Sequence, residues 1–236
     1  MEIPTLCWDA LPKISRTQMQ QLNTLATGKY GMDLRVLMEH AGRSLADLAQ
    51  HAVPEGPVLI VAGRGNNGGS GMVAARLLAA RGRSVWVVPT HEAENYSGVP
   101  KEQLDLLQHY DNIRVRSSLP KMKFSCAIDC AIGVSLEGPP RGRTLDVITV
   151  LNNMNGSSTV IALDVPTGIV ADDGSSPGEY VHADITLNLI LPKLGSMQQG
   201  EEGELYLADL GLPAQLFRDI GLDAPSLPAW LCELRC

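Results

Sequence analysis

Val58-Leu59-Ile60-Val61 runs into Gly63-Arg64-Gly65-Asn66-Asn67-Gly68-Gly69-Ser70-Gly71, and Met72-Val73-Ala74-Ala75-Arg76-Leu77-Leu78 follows. A continuous apolar run that stops at glycine predicts a strand buried on both faces, and the alanine- and leucine-rich run predicts a helix opening at Met72. Strand, glycine loop and helix make the first half of a parallel βαβ unit. Outward from it the alternation continues. Val85-Trp86-Val87-Val88, Cys126-Ala127-Ile128, Val160-Ile161-Ala162-Leu163 and Ile185-Thr186-Leu187-Asn188-Leu189 read as strands, and Leu205-Tyr206-Leu207 reads as the last one, at a sheet edge. Helical stretches between strands imply right-handed crossovers and a parallel sheet. Upstream, Ser15 opens a helix carrying Met19, Leu22, Leu25 and Ala26, and a second runs from Asp33 through Leu37, Met38, Ala41, Leu45 and Leu48. The expected fold class is α/β, a three-layer sandwich with a mostly parallel central sheet. One domain over 1–236 accounts for it, with a core of about 14–220 and appended tails at Pro4 to Pro12 and Pro225 to Cys236.

Composition narrows the partners. The formal net charge is −7, and the 19 Lys and Arg are scattered, so no basic face awaits nucleic acid. Met1 to Trp8 lacks a basic stretch followed by an apolar core, and no apolar run approaches the roughly 18–20 residues that cross a bilayer. No membrane association and a cytoplasmic location are expected. Of five cysteines, Cys126 and Cys130 share a strand, which separates them by roughly 13 Å and forbids a bridge. Cys232 and Cys236 are close in sequence but have no partner motif, so reduced thiols are expected. The five histidines form no spaced pair, which disfavours a histidine-ligated metal or a histidine base.

The glycine loop can bring backbone N–H groups and a helix N-terminus close to a phosphate-bearing ligand. It contains G-x-G-x-x-G at Gly63, Gly65 and Gly68, a weak match by itself. Two carboxylates, Asp129 and Asp164, fall at the ends of buried strands, where open α/β sheets place ligands and where a charge must meet a partner. With Asn67 and Thr167 they form an oxygen-only set that suits a hard cation. Lys193, after Ile190-Leu191-Pro192, reads as an exposed loop lysine, with phosphate neutralisation as the alternative.

Leu37-Met38-Glu39-His40-Ala41-Gly42, Gly65-Asn66-Asn67-Gly68-Gly69, Asp129 to Gly133, Asp164-Val165-Pro166-Thr167-Gly168 and Pro192-Lys193-Leu194-Gly195 occur in an order that resembles the NAD(P)HX epimerase family, also called the YjeF N-terminal domain. The resemblance covers roughly residues 14 to 220. It implies a Rossmann-like fold, a homodimer, and interconversion of the R and S hydrates of NADH and NADPH. It implies that Asn67, Asp129 and Thr167 hold a potassium ion and that Asp164 transfers protons beside the reacting ring. The hydrated nucleotide would lie against Asn66, Asn67, Gly68, Gly69 and Ser70, and against Gly133, Val134, Ser135, Leu136, Glu137, Gly138 and Pro139. Leu37, Met38 and Leu45 would supply the twofold surface, and Asp164→Asn would cost rate while leaving folding intact.

Two positions depart from the family pattern. Ser70 stands where the loop usually carries aspartate, and Asp129-Cys130-Ala131-Ile132-Gly133 replaces a segment that usually contains phenylalanine. The missing loop charge keeps a second class open, a catalytically impaired relative serving as a nucleotide-binding or protein-interaction module. An ordinary NAD-dependent dehydrogenase fits less well, because the second strand ends in Pro89-Thr90-His91 with Glu92 as the nearest ribose acid.

Overall fold

The computed structural model describes residues 2–119, 122–196 and 203–235. Its strands are β1 (Thr5–Cys7), β2 (Val58–Ala62), β3 (Val85–Pro89), β4 (Ile113–Val115), β5 (Cys126–Cys130), β6 (Thr159–Leu163), β7 (Ile185–Leu189), β8 (Glu204–Ala208) and β9 (Leu231–Arg235). Its α-helices are α1 (Arg16–Thr27), α2 (Leu34–Ala52), α3 (Asn66–Ala80), α4 (Gly98–Leu106), α5 (Arg143–Asn152) and α6 (Ala214–Asp219). The strands form one sheet in the order β1-β9-β8-β7-β6-β5-β2-β3-β4. Every neighbouring pair is parallel except β8 with β9. The chain steps from β2 outward to β3 and β4, then returns to place β5 on the other side of β2. That reversal opens a crevice at the carboxyl ends of β2 and β5, the place where open α/β sheets take ligands.

Side-chain alternation divides the core. Val58, Ile60 and Ala62 of β2 pack with α1, α2 and α3, whereas Leu59 and Val61 pack with Val147, Ile148 and Leu151 of α5. Helices therefore cover both faces, as expected. Ser15 caps α1 with a reciprocal pair: its hydroxyl accepts from the Gln18 N–H at 3.1 Å, and its own N–H donates to the Gln18 side chain at 3.1 Å. Asp33 caps α2 by accepting from the Arg35 N–H at 2.8 Å.

The sheet extends further than the sequence pattern indicated. β8 lies inside it, covered by antiparallel β9, so the edge expected at Leu205 to Leu207 is corrected to β1 on that side. The stretches read as tails each supply a strand, with Thr5 opposite Glu233 and Leu6 opposite Leu234. Cys236 lies outside the described residues; Cys7, Cys126, Cys130 and Cys232 carry free thiols. Burial pushes the Cys126 thiol up to about 12 and the Cys130 thiol well above its usual value, so both are chemically quiet. Among the described residues no helix is long and apolar enough to cross a membrane.

Candidate active site

A cavity of about 530 Å³ opens over the crevice. Its floor comes from the carboxyl ends of β2, β5 and β6. Met19 and Leu22 of α1 and Leu37, Met38 and Ala41 of α2 form an apolar wall. A largely apolar pocket with a few convergent polar groups is the usual form of a small-molecule site. The same burial corrects one expectation: Leu37, Met38 and Leu45 are buried within the chain, the first two lining the cavity, so they do not form an outer twofold surface.

The glycine stretch is mostly helix. α3 begins at Asn66 with Gly65 as its cap, and the Gly69 N–H closes the first turn onto the Gly65 carbonyl at 2.9 Å. Glycine and asparagine are poor helix formers, but close packing overrides propensity here. A Cβ on Gly68 would stand 1.8 Å from the Gly63 carbonyl oxygen, and one on Gly69 would stand 2.6 Å from the Met38 thioether. Gly68 is required for packing against backbone, Gly69 faces only the flexible end of Met38, and Gly65, Asn66 and Asn67 line the cavity. The N–H groups of Asn66, Asn67 and Gly68 precede the first intrahelical bond and are left for a ligand or water. Ser70 also lines the cavity but is not a cap; it lies in the second turn, nearly buried, with its hydroxyl donating to the Asn66 carbonyl at 3.0 Å.

Beyond β6 the chain makes an unusual turn. Asp164 has φ 71°, and the Val165 N–H donates back to the Leu163 carbonyl at 2.9 Å, a tight three-residue turn in the left-handed region. The neighbouring strand β7 ends the same way, with Ile190 at φ 71° and the Leu191 N–H bonded to Leu189 at 2.7 Å. Such backbone costs roughly 1–3 kcal/mol per residue and persists only where surroundings enforce it. Lys193 supplies the enforcement. Its ammonium donates to Asp164 Oδ1 and to the carbonyls of Leu189 at 3.0 Å and Leu191 at 3.1 Å, tying both turns together. Far from being an exposed loop lysine, Lys193 is 1% exposed. Oδ1 also accepts from the Leu189 N–H at 3.2 Å, so Oδ2 is the oxygen left for chemistry. It lies 3.5 Å from where a Gly133 Cβ would stand, and the Asn67 amide oxygen lies 3.4 Å from the same point. Gly133 leaves that space open where Asp164 and Asn67 converge.

Asp129 sits behind this floor, fully buried, and does not line the cavity. Its carboxylate accepts from the Thr167 N–H at 2.7 Å, the Thr167 hydroxyl at 2.7 Å and the Ala131 N–H at 3.1 Å. Burial pushes its pKa up while those hydrogen bonds pull against it. No cationic side chain among the described residues pairs with it. The residues fit a hard cation: the Asp129 carboxylate, the Thr167 hydroxyl and the Ile132 carbonyl 3.0 Å from that hydroxyl are all oxygen donors. Asn67 contributes an amide whose buried nitrogen has no hydrogen-bond partner among the described residues, and an amide can turn over to present its oxygen. Asn67 itself stands with Gly133 and Asp164 rather than bonded to the Asp129–Thr167 pair.

Among the remaining expected residues, Gly133, Val134 and Ser135 line the cavity. Leu136, Glu137, Gly138 and Pro139 lie beyond its lining; the Leu136 carbonyl and the Glu137 carboxylate both accept from Arg16, at 3.1 Å and 3.0 Å. Sequence reasoning missed Arg64, His91 and Thr144, which also line the cavity, and missed the burial of Lys193. For Lys193 the available signal was its place directly after the apolar run Leu189 to Pro192.

The fold and site together define a mostly parallel, Rossmann-like α/β protein with a ligand cavity at its topological switch point and a buried carboxylate turned into it. Residues 34–195 match the family described as YjeF-related protein N-terminus, and the chain belongs to that family. It is 62% identical over 216 residues to the NAD(P)H-hydrate epimerase of Truepera radiovictrix, covering 90% of this chain and 97% of the relative. A second NAD(P)H-hydrate epimerase, from Dehalogenimonas lykanthroporepellens, is 37% identical, with 95% of this chain and 94% of the relative covered. The crystal structure of yeast ynu0, YNL200c, superposes with a TM-score of 0.82 at 22% identity over 95% of this chain and 100% of that one, a likeness of fold.

Proposed function

We propose that the chain is an NAD(P)H-hydrate epimerase that interconverts the R and S hydrates of NADH and NADPH. The observation that carries the reading is Asp164 Oδ2 turned into the cavity beside Asn67 and Gly133, in a chain 62% identical to an epimerase of that name. Inversion requires the hydroxyl-bearing ring carbon to open and close again on its other face. The Asp164 carboxylate, ionised beside Lys193, takes the hydroxyl proton as the carbon–nitrogen ring bond breaks, passes it to the ring nitrogen, and reverses both transfers as the ring closes on the other face, so the proton count closes. Lys193 fixes Oδ1 and so orients the reacting oxygen. Mixing the protein with an S-specific dehydratase and both epimers tests the reading: the R form should be consumed, and persistence of R would refute it.

A potassium ion held by Asp129, Thr167 and Asn67 belongs to the same proposal. It would supply the positive charge that the buried Asp129 lacks and fix the turn next to Asp164. A homodimer in the cytoplasm completes it, through a surface other than the buried side of α2. Sedimentation should give a species near twice the 25.3 kDa of the chain.

A further inference from the structure

In a strand–loop–helix–strand unit, the end of the second strand lies beside the ribose of a bound dinucleotide. An acid there favours a free 2′-hydroxyl, and a basic group accommodates a 2′-phosphate. Here β3 ends at Pro89, and it is His91 that lines the cavity, together with Arg64 from the end of β2; Glu92 does not line it. Arg143, at the start of α5, does not line the cavity but is fixed behind His91, its Nε donating to the Pro89 carbonyl at 3.1 Å and its Nη2 to the Ser117 carbonyl. The Thr90 hydroxyl engages His91 Nδ1 at 2.9 Å, which leaves Nε2 for a ligand. Burial, and after it the charges of Arg64 and Arg143, push the His91 pKa down. Among the described residues no carboxylate pairs with any of the three, although the chain carries 26 acids.

We propose that Arg64 and His91, backed by the charge of Arg143, seat the 2′-phosphate of the bound dinucleotide, so that this chain prefers the hydrate of NADPH to that of NADH. The inference rests on the epimerase reading above and deepens it by naming the preferred substrate. Guanidinium groups meet phosphate oxygens in a planar fork, and a neutral imidazole adds a single N–H donor. In the order β6-β5-β2-β3, His91 past β3 is three strand spacings from Asp164 past β6, roughly 14 Å at about 4.8 Å each, and Arg64 past β2 is two. A ligand touching both the seat and Asp164 must cross the Gly65 to Asn67 turn, where α3 offers its unpaired N–H groups, and a dinucleotide carries its diphosphate in the middle.

Calorimetric titration with NADP and with NAD, on the wild type and on Arg64→Gln, tests the seat. Arg64 is exposed and makes no side-chain hydrogen bond or ion pair among the described residues, so the substitution spares the packed core. The wild type should bind NADP about 10- to 100-fold more tightly than NAD, the range for charge-assisted hydrogen bonds. Arg64→Gln should weaken NADP far more than NAD, and Arg64→Lys should recover part of the difference. Equal affinities in the wild type, or an equal loss of both ligands in Arg64→Gln, would overturn the seat. In either case the hydrate assay tells the two failures apart: if both R hydrates are consumed, the epimerase reading stands without the seat, and if neither is consumed, both fall.

Discussion

Asp129 lies within β5 and Asp164 just past its parallel neighbour β6, and both are buried, yet they are kept buried by different means. Asp164 meets an ammonium, that of Lys193, and sits on left-handed backbone with one oxygen turned to the cavity. Among the described residues Asp129 meets neutral donors alone, from Thr167 and Ala131, and it does not line the cavity. The contrast separates two roles that strand-end position alone makes look alike. A carboxylate with a fixed counter-charge needs no ion and can offer its second oxygen to a substrate. One held by hydrogen bonds alone has charge to spare for a cation.

The largest expected effect comes from removing the charge of Asp164. Asp164→Asn should lower epimerisation by roughly two to four orders of magnitude, the range for a general acid–base group. Sequence alone suggested that folding would be untouched. The buried lysine changes that, because losing one partner of a buried ion pair typically costs about 3–5 kcal/mol through the charge left behind. At about 2–4 °C per kcal/mol for a chain of this size, the melting temperature should fall by roughly 10 °C. An Asp164→Asn protein that melts with the wild type would break the comparison, since the counter-charge of Lys193 would then not be what keeps Asp164 buried.

Asp129→Asn should be milder. Asparagine keeps one acceptor but turns an NH₂ toward the Thr167 or Ala131 N–H, at a cost of about 1–3 kcal/mol. The sharper readout is the salt. Replacing potassium with tetramethylammonium should lower the melting temperature of the wild type and leave that of Asp129→Asn unchanged. If the wild type melts identically in both salts, Asp129 is held by hydrogen bonds alone and the proposed ion is lost from the comparison.

This contrast was only half legible in the sequence. The strands carrying both carboxylates announce themselves as continuous apolar runs, and each aspartate stands directly behind or inside its run. What separates them is long-range: Lys193 lies 29 residues from Asp164, and no local pattern reveals that its side chain turns inward. The sheet shows the same division. β2, β3, β5 and β6 are buried and largely hydrophobic, and β7 is buried throughout although it carries Thr186 and Asn188. β1, β4 and β9 are three to five residues long and mix apolar with polar side chains. β1 and β9 pair over a separation of more than 220 residues, which no period of two or 3.6 encodes. α3 starts six residues before Met72, and Gly68 lets its first turn lie against the Gly63 carbonyl, a tertiary demand that propensity does not contain.

Ser70→Asp would create a third carboxylate beside the cavity and ask whether it needs either device. Ser70 is the fifth residue of α3, past the first turn, where the helix dipole contributes little, so an aspartate there gains almost nothing as a helix-start charge. It would also lose the hydroxyl bond to the Asn66 carbonyl. No lysine stands ready for it, and the donors that serve Asp129 belong to another turn. The variant should therefore melt at or slightly below the wild type. Any gain in rate must come from a contact with ligand, because Ser70 lines the cavity one turn from Asn67. A charge-assisted bond to a ligand hydroxyl that tightens in the transition state would raise kcat/KM by about 10-fold. Paired epimerase and melting measurements decide it. A rise in rate with no rise in stability would place the new carboxylate with Asp164, as one that works on the ligand. A rise in melting temperature in potassium alone would place it with Asp129, and the separation of the two roles by position would fail.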